Sequence, residues 1–411
     1  MIFSSGIRPW IDAASGAFIP ADIAQDAAAA RLFVAGENPY GPVIREMHSR
    51  VVGLPVAETF PYFPHPPFSL IVSSPLAYVP YRTVAVLWFG FTLALVFILA
   101  MLLAENLTVN PGAAQVDPQG RLVLTCFILL LAWPPVLYNL EKGQWSVLLA
   151  VLIGLGWRSM SRGSLGASGA WFGAAASVKV FPLVLGGYLL LRSRRALLWF
   201  LGIGLVLTGV PLVLIGVSAF ADFVGQSRLN MPYWETFPSV TLSIHGALAR
   251  LLIGGHWAHP ATHAPIFARV IEGTVVLLLL GLAVRLTRHA ARGQADHAEA
   301  FAAWVVMLPV LNPQSLGHNG VLLALPLVLV GRTLTRDVHW RRKAAWAVAL
   351  VLVSIPRQTM WRVAPPPLDP WEGLAVTALP MWGALLLFLL AVTIHRPAAN
   401  AASASRTGGV W

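Results

Sequence analysis

Thr83-Val-Ala-Val-Leu-Trp-Phe-Gly-Phe-Thr-Leu-Ala-Leu-Val-Phe-Ile-Leu-Ala-Met-Leu-Leu-Ala104 runs for 22 residues without a charged side chain. As a helix it would be about 33 Å long, enough to cross the roughly 30 Å of hydrocarbon in a bilayer. A helix apolar on every face sits either in a large buried core or in lipid. Composition decides between the two. Of 411 residues, 57% are hydrophobic and 11% charged, and the mean hydropathy is +0.71. A soluble domain carries about 25% charged residues, so this chain could not cover a water-facing surface. Further apolar segments, at 121–138, 145–157, 196–216, 266–285, 298–311, 320–330, 344–355 and 374–394, read as full or near-full spans. The chain is polytopic and its spans are helical.

Two apolar segments are interrupted. Residues 68–81 are too short to span and carry Pro75 and Pro80, which suits a re-entrant or interfacial helix. Residues 166–191 are long enough to span once, but Ser177-Val178-Lys179-Val180-Phe181-Pro182 breaks them. Proline disrupts the helical hydrogen-bond ladder, and a lysine at mid-membrane is costly unless it faces protein or water. The segment is either one kinked span or two half-helices forming a re-entrant hairpin.

The formal net charge is +11, from 28 Lys+Arg against 17 Asp+Glu. The basic residues lie mostly between apolar segments, as cytoplasmic loops and anionic headgroups require, so no nucleic-acid partner is expected. Basic loops at 192–195, 285–292 and 332–343 are placed inside. The segments 217–265, 312–319 and 357–372 then fall outside. With a hairpin at Lys179, residues 139–144 and the N-terminal 80 residues are outside too; with a single span they invert. Basic residues in the short loops favour the hairpin. Cys126 is the single cysteine and lies in an apolar run, so a disulfide framework is excluded. No basic region followed by an apolar stretch marks a signal peptide at the N-terminus.

On the hairpin topology the segments rich in polar residues share one side. In order they are Asp22-Ile-Ala-Gln-Asp26-Ala-Ala-Ala-Ala-Arg31-Leu-Phe-Val-Ala-Gly36-Glu37-Asn38-Pro39-Tyr40, then Pro66-Pro67-Phe68 through Pro75-Leu76 and Pro80. Asn139-Leu-Glu-Lys-Gly143-Gln144 follows, then Lys179 with Pro182, and last Ser315-Leu-Gly-His318. In this order and spacing, over residues 20 to 335, the chain resembles glycosyltransferase family 87, the polyprenyl-phosphate-sugar-dependent membrane glycosyltransferases. The resemblance implies an all-α, polytopic transmembrane bundle of the membrane glycosyltransferase C-superfamily type, with re-entrant half-helices and outer-face loops. Residues 1–82 would form an outer-face segment, 83–394 the bundle and 395–411 a disordered cytoplasmic tail, all in one integral membrane domain. Two departures stand out. The family has a transmembrane helix before the opening Asp, for which residues 1–21 are too polar and short. It also tends to carry Asn-Gln-Ser in the large outer loop, where this chain has Ser239-Val-Thr-Leu-Ser243-Ile-His245.

The resemblance implies transfer of a sugar, mannose or a pentose, from a polyprenyl-phosphate carrier to a glycan or glycolipid outside a bacterial inner membrane, with inversion. Such a transfer needs a base for the acceptor hydroxyl and positive or hydrogen-bonding groups for the departing phosphate. A partly buried carboxylate suits the first task. Asp22, which matches the family's catalytic Asp, is the candidate; it could equally cap the Ala-rich helix, and Asp26 is its nearest rival. Lys179 and His318 are candidate contacts for the donor phosphate, although Lys179 could snorkel and His318 could cap a turn. Tyr40, Asn139, Gln144, His245, Asn312 and Ser315 are candidate substrate contacts; Asn139 and Gln144 could instead satisfy backbone at a helix end. Arg269 and Glu272, three apart on a span, are expected to pair. His256, His259 and His263 have helix-like spacing, but Pro260 follows the second and no carboxylate lies nearby, so no metal or other cofactor is expected. A transporter or flippase for lipid-linked or small polar substrates would also use broken helices and an intramembrane lysine, and a non-catalytic scaffold is a third possibility.

Overall fold

The computed structural model describes residues 11–12, 21–56, 59, 62–107, 118–229, 241–255, 257–335, 339–365 and 367–394. The expected tail at 395–411, the start of the outer-loop element at Ser239, and His256 lie outside the described residues, as do 1–10 and 13–20. Among the described residues the regular structure is helical, apart from isolated bridges such as Thr241 with Leu316. Among the described residues four helices are long and apolar enough to cross a membrane: Tyr81–Leu107, Arg194–Arg228, Pro265–Ala291 and Gly317–Leu334. A fifth exists if Gly120–Ala132 and Pro134–Lys142, bent by 65°, count as one span. This is a polytopic helical membrane protein.

The burial pattern sorts these helices. His297–Leu311 is buried along nearly its whole length and forms the centre of the bundle with Gly317–Leu334. Arg194–Arg228 and Pro265–Ala291 are peripheral, turning Leu205, Val213 and Leu277 outward. Such continuous apolar surface suits contact with acyl chains. One hydrophobic core links residues from Ile23 to Ile394.

Several expected spans are reshaped by proline and glycine. The expected span at 121–138 bends where Trp133 turns extended ahead of Pro134 and Pro135, neither of which has an N–H to continue the ladder. The span at 374–394 divides into Pro370–Ala375, opened by an Asp369–Glu372 capping box, and Leu379–Thr393. Gly216, at φ 82°, ends the span at 196–216, but helix resumes to Leu229 within what was expected as outer loop. The short segment at 68–81 forms a helix, Pro67–Ser73, and a 3-10 turn, Ser74–Tyr78.

The break at Lys179 orients the rest. Helix Leu165–Val178 stops, Lys179 is extended at φ −142°, ψ 141°, and the chain restarts as a 3-10 turn, Phe181–Val184, continuing into Leu185–Arg192. The chain then turns back on itself. Helix Arg194–Leu229 lies along Leu165–Val178 so closely that a Cβ on Gly169 would collide with the carbonyl oxygen of Ala196. Arg195 therefore sits beside Gly163 to Ala167, at the end of the bundle opposite Lys179. The same opposition recurs along the molecule. The last turn of Tyr81–Leu107 carries Glu105, which pairs with Arg158 and Arg162, and the helix holding Arg158 begins at Ser146, beside Gln144.

Candidate functional site

At the end away from those arginines lies a cavity of about 280 Å³ whose lining includes Asp22, His65, Gln144, Lys179, Asn312 and His318. The two ends of the resemblance, nearly three hundred residues apart, thus meet in one space.

Asp22 stands in the first turn of helix Ala21–Val34, where the helix dipole favours a carboxylate. This helix is buried from Ile23 to Ala30, and its four consecutive alanines let neighbouring elements approach closely. One that does is the turn after Pro134–Lys142. Gly143 takes a left-handed φ of +70°, and a Cβ there would lie 2.9 Å from Ile23 Cγ2. Only glycine fits both demands. The close approach delivers Gln144, whose Nε2 donates to Asp22 Oδ2 at 2.6 Å while its Oε1 accepts from Lys179 Nζ at 2.9 Å. Ammonium, amide and carboxylate form one chain across three segments of the polypeptide.

Asp26, one turn on, is built differently. It is fully buried, accepting from Trp145 Nε1 at 3.0 Å on one oxygen and meeting His65 Nδ1 at 2.9 Å on the other. It does not line the cavity; His65 does. The two carboxylates that spacing alone could not separate therefore have different surroundings, one open and one enclosed.

His318 enters from the 3-10 turn Gly317–Leu323, its ring 5.8 Å from that of Tyr138. Its Nδ1 is buried with no protein partner among the described residues. Asn319 beside it accepts from Ser146 Oγ at 2.9 Å, and Asn312 Oδ1 accepts from the Gln314 N–H at 3.4 Å. Lys142 adds a second ammonium. It lies 3.8 Å from Glu141, which also pairs with Arg357 at 3.2 Å. Arg357 in turn packs over the rings of Tyr138 and Trp361.

Four expected contacts are not part of the lining. Tyr40 lies behind it, donating from its hydroxyl to the His65 carbonyl at 2.9 Å, with Phe63 and Phe223 against its ring. Asn139 is fully buried under the turn, where its Oδ1 accepts from the Ser146 N–H that opens the next helix. That is the backbone-satisfying role weighed for it above. Ser315 is buried beside the Thr241–Leu316 bridge. His245 joins a separate cluster with Arg269 and Glu272: its Nδ1 lies 2.9 Å from Glu272, and the expected Arg269–Glu272 pair forms at 3.2 Å. Conversely, His65, Lys142, Tyr138, Asn319 and Gln25 line the cavity without having been singled out. For His65 the signal was present: it stands in Pro64-His65-Pro66-Pro67, a run whose prolines hold the backbone extended and out of a helix. Among the described residues there is no group of three or more His, Cys, Asp or Glu side chains able to hold a metal ion.

This helical membrane protein thus gathers a carboxylate, two ammoniums and two imidazoles around one cavity. Residues 63–292, more than half of the chain, match the sequence profile of glycosyltransferase family 87. The chain belongs to that family. It is 27% identical over 337 residues to a polyprenol-phosphate-mannose-dependent alpha-(1-2)-phosphatidylinositol pentamannoside mannosyltransferase of Mycobacterium tuberculosis (strain CDC 1551 / Oshkosh), covering 78% of this chain and 73% of that protein. It is 28% identical over 327 residues to the protein of that description from Mycolicibacterium smegmatis, covering 76% and 73%. A polyprenol-phosphate-mannose-dependent alpha-(1-2)-phosphatidylinositol mannoside mannosyltransferase of Mycobacterium tuberculosis (strain ATCC 25618 / H37Rv) is 25% identical over 360 residues, covering 81% and 77%.

Proposed function

We propose that this chain transfers a mannosyl residue from a polyprenyl-phosphate carrier to a glycan or glycolipid on the outer face of a bacterial inner membrane, with Asp22 as general base. The observation that carries the reading is the Lys179–Gln144–Asp22 chain in a cavity shared with His318. Family membership favours transfer over the transporter reading, and the activities of the relatives favour mannose over a pentose and suggest a phosphatidylinositol mannoside as acceptor.

In the proposed step the acceptor oxygen bonds to the sugar's anomeric carbon and its proton passes to the free Asp22 oxygen. The bond from that carbon to the phosphate oxygen breaks, and polyprenyl phosphate leaves with the electron pair. A single displacement inverts the anomeric centre. The phosphate gains one negative charge, which Lys179, Lys142 and His318 are placed to meet. A monophosphate flanked by two ammoniums needs no bridging cation, so transfer should persist in chelator.

The outer-face placement rests on charge. Several helices that reach the cavity carry basic residues at the other end: Arg192 opposite Phe181, Arg194 and Arg195 opposite Phe223, Arg332 opposite His318. Short basic loops stay in the cytoplasm, and the hairpin at Lys179 begins and ends there. On this reading the hairpin is re-entrant.

The decisive experiment is Asp22→Asn in membranes supplied with radiolabelled polyprenyl-phosphate mannose. Transfer should fall by at least 100-fold with expression and melting temperature unchanged. Transfer near the wild-type rate would remove Asp22 as base, and donor flux across the membrane without transfer would restore the transporter reading.

A further inference from the structure

The mechanism above leaves one costly construction unused. Asp26 is a carboxylate with no exposure to solvent, and removing such a charge from water is expensive unless its hydrogen bonds repay the loss. Its partners are the Trp145 indole and the His65 ring. A histidine needed only as packing could be held by its ring contacts and its backbone. His65 already has both: Phe63 and Trp145 meet its ring edge-on at 5.4 and 6.1 Å, and Tyr40 holds its carbonyl.

What the carboxylate adds is a fixed tautomer. An ionised carboxylate only accepts, so the His65 nitrogen facing it, Nδ1, must carry a hydrogen. In the neutral ring Nε2 is then left as an acceptor. Among the described residues Nε2 has no protein hydrogen-bond partner, and His65 lines the cavity. Other acceptors there are partly spent: Gln144 Oε1 takes Lys179, one Asp22 oxygen takes Gln144, and Asn319 Oδ1 takes Ser146. The cavity thus has a ring nitrogen aimed at its contents, with its lone pair held available from behind.

We propose that His65, held in one tautomer by Asp26, accepts a hydrogen bond from a carbohydrate hydroxyl in this cavity and so orients the reacting sugars. Asp26 acts through His65 as a positioning residue. The proposal rests on the glycosyl-transfer reading and adds to it a substrate contact distinct from the base and the phosphate groups. The hydroxyl belongs either to the donor sugar or to the acceptor.

Three variants test it in native-host membranes supplied with radiolabelled polyprenyl-phosphate mannose. His65→Asn keeps a donor for Asp26 at the Nδ1 position but has nothing at the Nε2 position. His65→Gln puts an amide oxygen near the Nε2 position. Asp26→Asn preserves shape but can donate to Nδ1, which moves the ring's hydrogen to Nε2. Transfer should fall roughly 100-fold in His65→Asn and in Asp26→Asn, no further in the double variant, and recover to within about tenfold of wild type in His65→Gln. If the hydroxyl is the donor's, acceptor-free hydrolysis of the donor falls in parallel; if it is the acceptor's, hydrolysis is unchanged. The proposal is overturned if His65→Asn stays within threefold of wild type, or if His65→Gln is as poor as His65→Asn in a protein that melts normally. Should His65→Asn fail to fold, Asp26→Asn decides alone: wild-type transfer there overturns it. Asp22→Asn is run alongside. Loss in that variant with none in His65→Asn sinks only this inference, while transfer surviving Asp22→Asn sinks the assignment beneath it.

Discussion

Gly143→Ala is the most informative single change, because one methyl group tests both the backbone and the route by which Gln144 reaches Asp22. The cost has two parts. Alanine in the left-handed region at φ +70° costs about 1–2 kcal/mol. The new Cβ also meets Ile23 Cγ2 at 2.9 Å, on a helix buried on all sides with no room to retreat, which adds about 1–3 kcal/mol of overpacking. Gly53→Ala is the internal control: its φ is +73°, but nothing lies within 4 Å of the added methyl, so only the first cost applies. SDS titration in mixed micelles should therefore give a loss of about 1–2 kcal/mol for Gly53→Ala and about 2–5 kcal/mol for Gly143→Ala. Transfer should separate them further, since moving the turn by a few tenths of an ångström stretches a 2.6 Å hydrogen bond between Gln144 and Asp22 only in the second variant. Equal stability losses for the two alanines, or full activity in Gly143→Ala, would refute the reasoning.

Two further outcomes are expected. Lys179→Met removes a charged donor from Gln144 and from the proposed phosphate site; donor KM should rise or kcat fall by roughly 10- to 150-fold, the equivalent of one charge-assisted hydrogen bond of about 1.5–3 kcal/mol, and a change under twofold would exclude the phosphate role. His48, on helix Val43–Val52, is pushed down by burial to about 4, so the unfolded chain takes up its proton first as pH falls. Its contribution to stability is complete above the ordinary histidine value near 6.5 and is lost progressively between about 6.5 and 4, by up to about 3 kcal/mol, and His48→Gln should flatten that part of the stability–pH curve measured by SDS titration.

The membrane class and most helices were legible because they depend on composition and run length, which are local. The break at Pro182 was legible because a lysine stands beside the proline, and the break at Trp133-Pro134 was missed because a long apolar run masked it. A place in the cavity lining was legible for Asp22, Gln144, Lys179, Asn312 and His318, all polar residues at helix ends or interruptions. It was not legible for Tyr40 and His65, which stand in similar Pro-rich surroundings. Which one faces the cavity is settled by Asp26, whose side chain draws His65 toward it, and by the Tyr40 hydroxyl binding His65 from behind. Those are pairings between residues 25 and 39 apart, and no periodicity carries them. His245 lies outside the cavity lining for a related reason: a polar residue in an outer segment can be satisfied by a helix distant in sequence, here by Glu272.

Charge balance ties the fold to the proposed chemistry. Counting only the groups that line the cavity, with both histidines neutral and the enclosed Asp26 behind His65 left out of the sum, Lys142 and Lys179 stand against Asp22, a surplus of one positive charge. A donor phosphodiester brings one negative charge and closes the sum at zero. During transfer the phosphate becomes doubly negative while Asp22, on taking the hydroxyl proton, becomes neutral, and the sum is again zero. A low-dielectric cavity penalises net charge at either stage far more than water does, so a base outside the cavity would leave the products with an uncompensated negative charge. On the proposed reading the proton stays within the cavity, on the free oxygen of Asp22, which is joined through Gln144 to Lys179.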